Sequence, residues 1–321
     1  MKKTLPTSLP YNQPLTVLSP ATIANLSCGF DVLGLALSGV GDTLTVSLTT
    51  NPGIEISKIE GADLPRETDK NVAGVALKAL LEAIPDYTGG VKLQISKGIA
   101  PGSGIGSSAA SSAGAVWAVN RLLGELFTPA ELTQFAMEGE RLASGAAHAD
   151  NVAPALFGGI TLVRSSNPLD VVAIPCPDAL YAYVLHPEIE LKTSDSRKVL
   201  KTRISLQDGI RQWGNVGGLV AGFFLEDYGL ISRSLEDVII EPVRSLLIPG
   251  FSEMKEAALK SGALGFGISG SGPSVFALCQ GADNCQRAGA AISEAFEGIG
   301  LSFNTYQGPV NSQGVQIVSN E

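Results

Sequence analysis

The sequence predicts an α+β fold in two halves, and three observations carry that reading. Segments of helical and of strand period are mixed along the chain without the regular βα alternation of a doubly wound sheet. Two clusters of glycine and serine, at 98–112 and 265–273, sit between such segments. The 321 residues, 45% hydrophobic and 17% charged, suit one large or two packed units with a well-buried core.

Leu15–Leu18 and Asp42–Leu48 alternate and predict strands on either side of the segment Pro20–Leu37. Asn71–Ala83 is an amphipathic helix ended near Pro85, and Val91–Ile95 alternates like a half-buried strand. The small-residue run from Ala109 to Leu123 reads as a helix suited to tight packing. Pro129–Gly145 reads as another, with Thr128 as N-cap and Pro129 in its first position. Gly158–Val163 starts a strand, and the turn-rich Ser165-Ser166-Asn167-Pro168 separates the halves into 1–168 and 169–321. Strands follow at Val171–Ile174 and Leu180–Leu185, and helices at Gln207–Gly229, Ser252–Ser261 and Asn284–Gly298. Trp117 and Trp213 read as packing residues. No repeat or low-complexity tract appears.

Bulk properties exclude several classes of partner. The net charge is −9 and no basic stripe occurs, which argues against nucleic acid. Met1–Pro6 lacks an apolar h-region, and the apolar runs fall far short of about 18 residues, so neither a signal peptide nor a membrane span is expected. Cys28, Cys176, Cys279 and Cys285 are irregularly spaced and read as reduced thiols of a cytoplasmic protein. With two histidines a structural zinc site is not expected.

The stretch Gly98-Ile99-Ala100-Pro101-Gly102-Ser103-Gly104-Ile105-Gly106-Ser107-Ser108-Ala109-Ala110 is the most informative. Glycines let a backbone approach a ligand closely. The following helix start offers unpaired N–H groups and a partial charge of about +0.5. Strand, glycine loop and helix in that order make a phosphate cradle. The P-loop pattern fails, because no lysine follows the glycines and Lys97 precedes them. A turn that merely joins strand to helix is the plain alternative. In the second cluster, Gly265-Phe266-Gly267-Ile268-Ser269-Gly270-Ser271-Gly272-Pro273, the segment Ser274–Cys279 that follows is a strand. A dinucleotide fingerprint would need a helix there, so a tight loop between strands is predicted.

Taken together, Pro20–Gly34, the loop Gly102–Ala110 and Gly265–Ser274 resemble the three motifs of the GHMP small-molecule kinases, in the family's order. Gly139-Glu140-Arg141, His148–Pro154 and Asp237–Phe251 resemble the branch of that family that acts on L-homoserine. The similarity runs from about Leu15 to Val318. Ala100 and Ile105 depart from the proline and leucine usual in the loop, and neither change removes a polar ligand. The resemblance implies a two-domain fold with the active site in an inter-domain cleft. Residues 1–168 would bind ATP and 169–321 would complete the substrate site. It also implies ATP and Mg2+, phosphorylation of L-homoserine on the route to threonine, and, by analogy of fold, a homodimer.

Residue roles follow from the same resemblance. The loop from Ala100 to Ala110 would hold the phosphates, with Asn71 at the adenine edge; a helix-start role is the alternative for Asn71. Ser108 and Glu140 would hold the magnesium; an N-cap and a solvated charge are their alternatives. Arg197 and Arg244, with Thr193 nearby, would take the substrate carboxylate, unless the arginines are surface charges. Asp31 and Asp150 are candidates for the ammonium. Asn25 and Asn151 would orient the substrate, Asn151 nearest the hydroxyl, although Asn25 also fits a turn. His148 has the pKa of a general base but is given a contact role. Two other readings compete: a family member acting on mevalonate, a phosphomevalonate, a sugar or shikimate, and a non-catalytic effector-binding relative. Pro20-Ala21-Thr22 lacks the lysine of the isoprenoid members' first motif, and the retained Ser108, Glu140 and loop glycines argue against loss of catalysis.

Overall fold

The computed structural model describes residues 3–189, 191 and 193–318. Its first half runs β1 (Leu15–Ala24), β2 (Leu33–Thr49), β3 (Gly53–Glu60), α1 (Val72–Glu82), β4 (Gly90–Ser96), α2 (Ser107–Leu122), α3 (Pro129–Ser144), α4 (Val152–Phe157), β5 (Ile160–Ser166) and β6 (Leu169–Ile174). The second runs β7 (Leu180–Pro187), α5 (Thr193–Lys198), α6 (Leu206–Leu225), α7 (Tyr228–Ser234), α8 (Glu241–Arg244), α9 (Phe251–Lys260), β8 (Gly265–Ile268), β9 (Val275–Gln280), α10 (Ala282–Glu297) and β10 (Phe303–Pro309). A two-residue strand, β11 (Gln316–Ile317), returns to the first half. The α+β class is as the sequence predicts.

Two sheets organise the chain. The first has the order β11-β1-β2-β4-β3, with β5 and β6 added beside the start of β2. It is antiparallel except for β3 against β4. The second has the order β10-β7-β9-β8. β1 and β2 extend through most of Pro20–Leu37, which the sequence reading had left between strands. Residues 20–24 and 33–37 are buried without alternation, so the period-two signal vanishes there. The long β2 pairs with β5 at one end and with β4 at the other.

The turn at 165–168 joins β5 to β6 within the first sheet. The passage to the second sheet therefore lies at 175–179 and not at 168, because β6 still pairs with β5. The predicted helix Gln207–Gly229 is two helices. Glu226 adopts a left-handed conformation that ends α6, and the Asp227 side chain accepts from the Leu230 N–H to start α7. Trp213 on α6 is 62% exposed beside exposed Leu206 and Ile210, so it is not a core residue. Gly265–Ile268 is itself a strand, which confines the second glycine loop to 269–274.

Small residues set the packing that positions the site. Most of α2 is buried. A Cβ on Gly114 would lie 2.7 Å from a Leu44 methyl, and one on Gly139 of α3 would lie 2.2 Å from Ser112 Oγ of α2. Sheet, α2 and α3 thus approach closely, with Leu44, Leu77, Val116 and Val119 in one core. A second core joins the halves, with Ile23, Leu35 and Ile105 packed with Val184, Phe223 and Phe276. The β7–β9 strands and α9 and α10 enclose a third. No helix among the described residues is long and apolar enough to cross a membrane.

Candidate active site

The glycine loop between β4 and α2 alternates in burial. Ser103, Ile105 and Ser107 root inward, while Gly102, Gly104, Gly106 and Ser108 lie on the outer side. Gly102, Gly104 and Gly106 all have left-handed backbone, φ 76°, 85° and 74°, which side chains disfavour. The loop carbonyls are held from behind. Ser103 O accepts from the Ser274 hydroxyl at 2.6 Å and the Ser274 N–H at 3.3 Å. Gly104 O accepts from Ser269 Oγ at 2.8 Å, and Ile105 O from the Thr22 N–H at 3.1 Å. Gly106 sits at the N-cap of α2 and supplies no side-chain cap. With the carbonyls committed, the outer face of the loop and the first N–H groups of α2 form an anion cradle. Of the loop residues from Ala100 to Ala110, Ser103, Ile105, Ala109 and Ala110 have fully buried side chains, so these four can contribute backbone only.

Beneath the loop lies an ion pair for which the sequence carried no motif. Lys97, just past β4, and Asp42 of β2 have side chains 2% and 0% exposed. Lys97 Nζ donates to Asp42 Oδ2, to Ser107 O at 2.8 Å and to Ser111 Oγ at 2.9 Å. Asp42 Oδ1 accepts from the N–H groups of Gly98 and Ile99 at 3.2 and 3.3 Å, and Oδ2 also accepts from Ser111 Oγ at 2.8 Å. Burial pushes the Lys97 pKa down, opposed by the Asp42 and Glu140 charges. The pairing is visible only in the register that sets the end of β4 beside β2.

Glu140 and Ser108 face each other across the α2–α3 contact. Glu140 is 7% exposed, and its Oε1 has no hydrogen-bond partner among the described residues. It is therefore not a solvated surface charge. Burial raises its pKa to about 7, while a hydrogen bond from Ser108 and the Lys97 charge pull it down. A carboxylate oxygen left unpaired in a buried site, beside a hydroxyl at the anion cradle, fits the all-oxygen ligand set of a magnesium ion. Close by, Asn151 precedes α4 without capping it, and its Oδ1 accepts from Thr22 Oγ1 at 2.7 Å. Thr22 is thus a supporting residue that the sequence reading had not singled out. Asp150 is 4% exposed, and its Oδ1 has no hydrogen-bond partner among the described residues. Burial, then the Asp31 and Glu140 charges, raises its pKa to about 7.

A pocket beside this cluster is lined by Asn25, Ser27, Phe30, Arg244, Ile268 and Gly270 among others. The Arg197 and Arg244 guanidiniums lie over the Phe30 ring, at 5.5 and 5.1 Å from its centroid. Arg244 is only 3% exposed and donates to Ser196 O at 3.0 Å and Gly270 O at 3.2 Å. Arg197 pairs bidentately with Asp31, at 2.7 and 3.2 Å. Neither arginine is a free surface charge. Asp237 accepts from the N–H groups of Ile239, Ile240 and Glu241 and so fixes the turn that leads into α8 and Arg244. His148 is half-buried, with Nδ1 3.9 Å from Asp31 Oδ1, and burial lowers its pKa.

Two expected ligand residues have committed amides. Asn25 Nδ2 donates to Gly270 O at 2.7 Å, and its Oδ1 accepts from the Asp31 N–H at 2.9 Å. Asn25, Leu26 and Ser27 all have positive φ, so the turn reading of Asn25 holds while the residue still lines the pocket. Asn71 caps α1 by accepting from the Ala73 N–H at 3.0 Å and donates to Pro65 O at 2.8 Å. Its side chain is a helix-start group, with one bond made at each end of the amide. Thr193 opens α5, and its side chain lies outside the described residues.

Comparison with known proteins agrees with this geometry. The model of the GHMP kinases N terminal domain matches residues 71–159, and that of the GHMP kinases C terminal matches 219–298. The chain is 46% identical over 311 residues to the homoserine kinase of Chlorobium phaeovibrioides, covering 93% of this chain and 97% of that one. A crystal structure of homoserine kinase from Cytophaga hutchinsonii is 47% identical with a TM-score of 0.91, covering 95% of this chain and 97% of that one. The L. major mevalonate kinase, solved with R-mevalonate, shares the fold alone at 17% identity and a TM-score of 0.67, covering 96% and 98%. The chain belongs to the GHMP kinase family. The relatives it matches at 40% identity or more carry the name homoserine kinase.

Two outcomes follow from the site. A Cβ at Gly104 would lie 2.6 Å from Gly272 O, whereas one at Gly102 meets nothing within 4 Å. Gly104→Ala is expected to destabilise by at least about 3 kcal/mol through strain and overlap. Gly102→Ala should cost roughly 1–2 kcal/mol, from its φ alone. Denaturant titration of both variants checks the order. In the metal-free protein, the stability that Glu140 contributes in its neutral form is complete below about pH 4.5 and lost as pH rises through about 7. Glu140→Gln should therefore be more stable than wild type at pH 8 by about 1–3 kcal/mol and equal to it near pH 4.5. Thermal unfolding in chelator at the two pH values checks this.

Proposed function

We propose that the chain transfers the terminal phosphoryl group of ATP to the side-chain hydroxyl of L-homoserine, giving O-phospho-L-homoserine in threonine biosynthesis. The observation that carries the substrate is the cluster of charges around Phe30. Two guanidiniums over Phe30 and the nearby buried Asp150, whose Oδ1 has no partner among the described residues, complement a zwitterionic amino acid. Mevalonate and sugars have no ammonium to place at Asp150.

In this reading the outer amides of 102–108 hold the phosphates, and ATP lies between loop and pocket. Ser108 and Glu140 hold Mg2+, which when bound offsets phosphate charge. Arg244 and Arg197 take the substrate carboxylate, and Asp150 takes the ammonium with Asp31 beside it. Thr22 occupies Asn151 Oδ1, which leaves Nδ2 to orient the hydroxyl. No side chain is assigned as base. Phosphoryl transfer passes through a loose transition state, so positioning and electrostatic stabilisation supply most of the rate. His148 contacts the substrate, with the Asp31 carboxylate 3.9 Å from its Nδ1.

The test is a coupled ADP-release assay with L-homoserine, L-serine, mevalonate and galactose in parallel. L-homoserine should be turned over most efficiently, and preference for mevalonate or galactose would overturn the assignment. Arg244→Leu should raise the homoserine KM by at least about 30-fold with ATP KM nearly unchanged, since cutting one partner of a buried charge pair costs about 2–5 kcal/mol. His148→Asn should keep turnover at saturating substrates within roughly 10-fold. A fall of about 10²–10⁴ would mark it as a general base.

A further inference from the structure

The Asp42–Lys97 pair lies outside the roles assigned above, and its bonding is unusual in being both complete and selective. All three Lys97 donors are used, and Asp42 accepts four hydrogen bonds. The groups it holds lie on the two stems of the glycine loop. Upstream are the N–H groups of Gly98 and Ile99, and downstream are Ser107 O and Ser111 Oγ. One further tie, from Ser107 Oγ to Ile99 O at 3.0 Å, crosses the same stems.

Burying an ion pair rarely stabilises a fold more than a well-packed apolar pair of similar volume. Stability alone therefore does not explain a charged pair 0–2% exposed in this place. An apolar pair could fill the space but could not bind two amides, a carbonyl and a hydroxyl at once. Direct contact with phosphate is also ruled out for Lys97, because its ammonium is enclosed and its donors are spent. Meanwhile the loop between the stems has three glycines at positive φ, a segment with much conformational freedom to lose. Its carbonyls are fixed from behind by Ser269, Ser274 and Thr22, and its stems are fixed from beneath by Asp42 and Lys97.

We propose that Asp42 and Lys97 are positioning residues for nucleotide binding: the pair clamps the stems of the loop at the spacing where the outer amides converge on one phosphate. This rests on the kinase reading of the loop and adds two residues to it.

The experiment uses the full chain with MgADP as probe, calorimetry for binding, thermal unfolding for stability and steady-state kinetics for the KM split. Lys97→Met and Asp42→Asn should each lower the unfolding midpoint and weaken MgADP by at least about 10-fold. The double variant Asp42→Leu/Lys97→Met separates the roles. It should recover most of the midpoint, because no lone charge remains buried, yet still bind MgADP at least about 10-fold more weakly, with homoserine KM within about 3-fold of wild type. Recovery of MgADP affinity along with stability would reduce the pair to a structural one and overturn the proposal. If the double variant does not fold, Ser111→Ala decides, since it removes one tie to each partner and leaves the pair. A drop in MgADP affinity of about 3-fold or more supports the clamp, and an unchanged affinity overturns it. Wild-type protein that binds no MgADP would remove the nucleotide reading itself, a failure distinct from that of the clamp.

Discussion

The close backbone contact between the glycine loop and the turn at 269–274 is the constraint on which the site depends. A Cβ on Gly104 would lie 2.6 Å from Gly272 O and one on Gly270 3.0 Å from Gly104 O, and the Gly270 N–H donates to Ala24 O at 3.2 Å. Gly270 O accepts from both Asn25 and Arg244. One short turn therefore touches the glycine loop, the left-handed turn of 25–27 and the Arg244 guanidinium. Moving it would disturb all three together. This explains why three segments far apart in sequence carry glycine and small hydroxyl residues at once: they form a single junction.

Electrostatics separates the two sides of that junction. Glu140 and Asp150 are buried carboxyls whose pKa values rise to about 7 because burial outweighs the cations nearby. Each keeps an oxygen without a hydrogen-bond partner among the described residues. Burial and the Arg197 charge lower the Arg244 pKa to about 10. Asp31 neutralises Arg197 through two hydrogen bonds, which leaves Arg244, 3% exposed, as the more deeply buried of the two arginines and the one that lines the pocket.

Much of this was legible in the sequence, and the parts that were not share a physical reason. Helix starts with local chemistry read well: Thr128 caps α3 with Pro129 in its first turn, as the sequence predicts, and Glu131 completes a capping box with Thr128. The ordered glycine motifs located the loop and the 269–274 turn, and Glu140 was singled out by the resemblance at Gly139-Glu140-Arg141. Features that depend on register or burial did not read through. The inner parts of β1 and β2 lose alternation because they are buried between layers. The turn at 165–168 looks like a domain boundary but is a hairpin. Asp42, within β2, and Lys97, just past β4, are single polar residues, and nothing local announces that they meet. At Asn71 the two roles read from sequence were an adenine contact and a helix start, and the structure shows the N-cap through Oδ1, with Nδ2 donating to Pro65 O.

The return of β11 to β1 has a mechanical meaning. The chain leaves the first sheet at 175–179, builds the second sheet with its helices, and comes back through 310–315. Val310 bridges Leu37, the Asn311 N–H donates to Ala36 O at 2.9 Å, and the Val318 N–H donates to Thr16 O at 2.9 Å. The second half is thus an insertion whose chain both leaves and re-enters through the first sheet, with the shared core of Ile23, Leu35, Val184 and Phe276 closing the space between the two crossings. Both of its ends are fixed by backbone pairing to the same sheet, so displacing either end means breaking strand hydrogen bonds there.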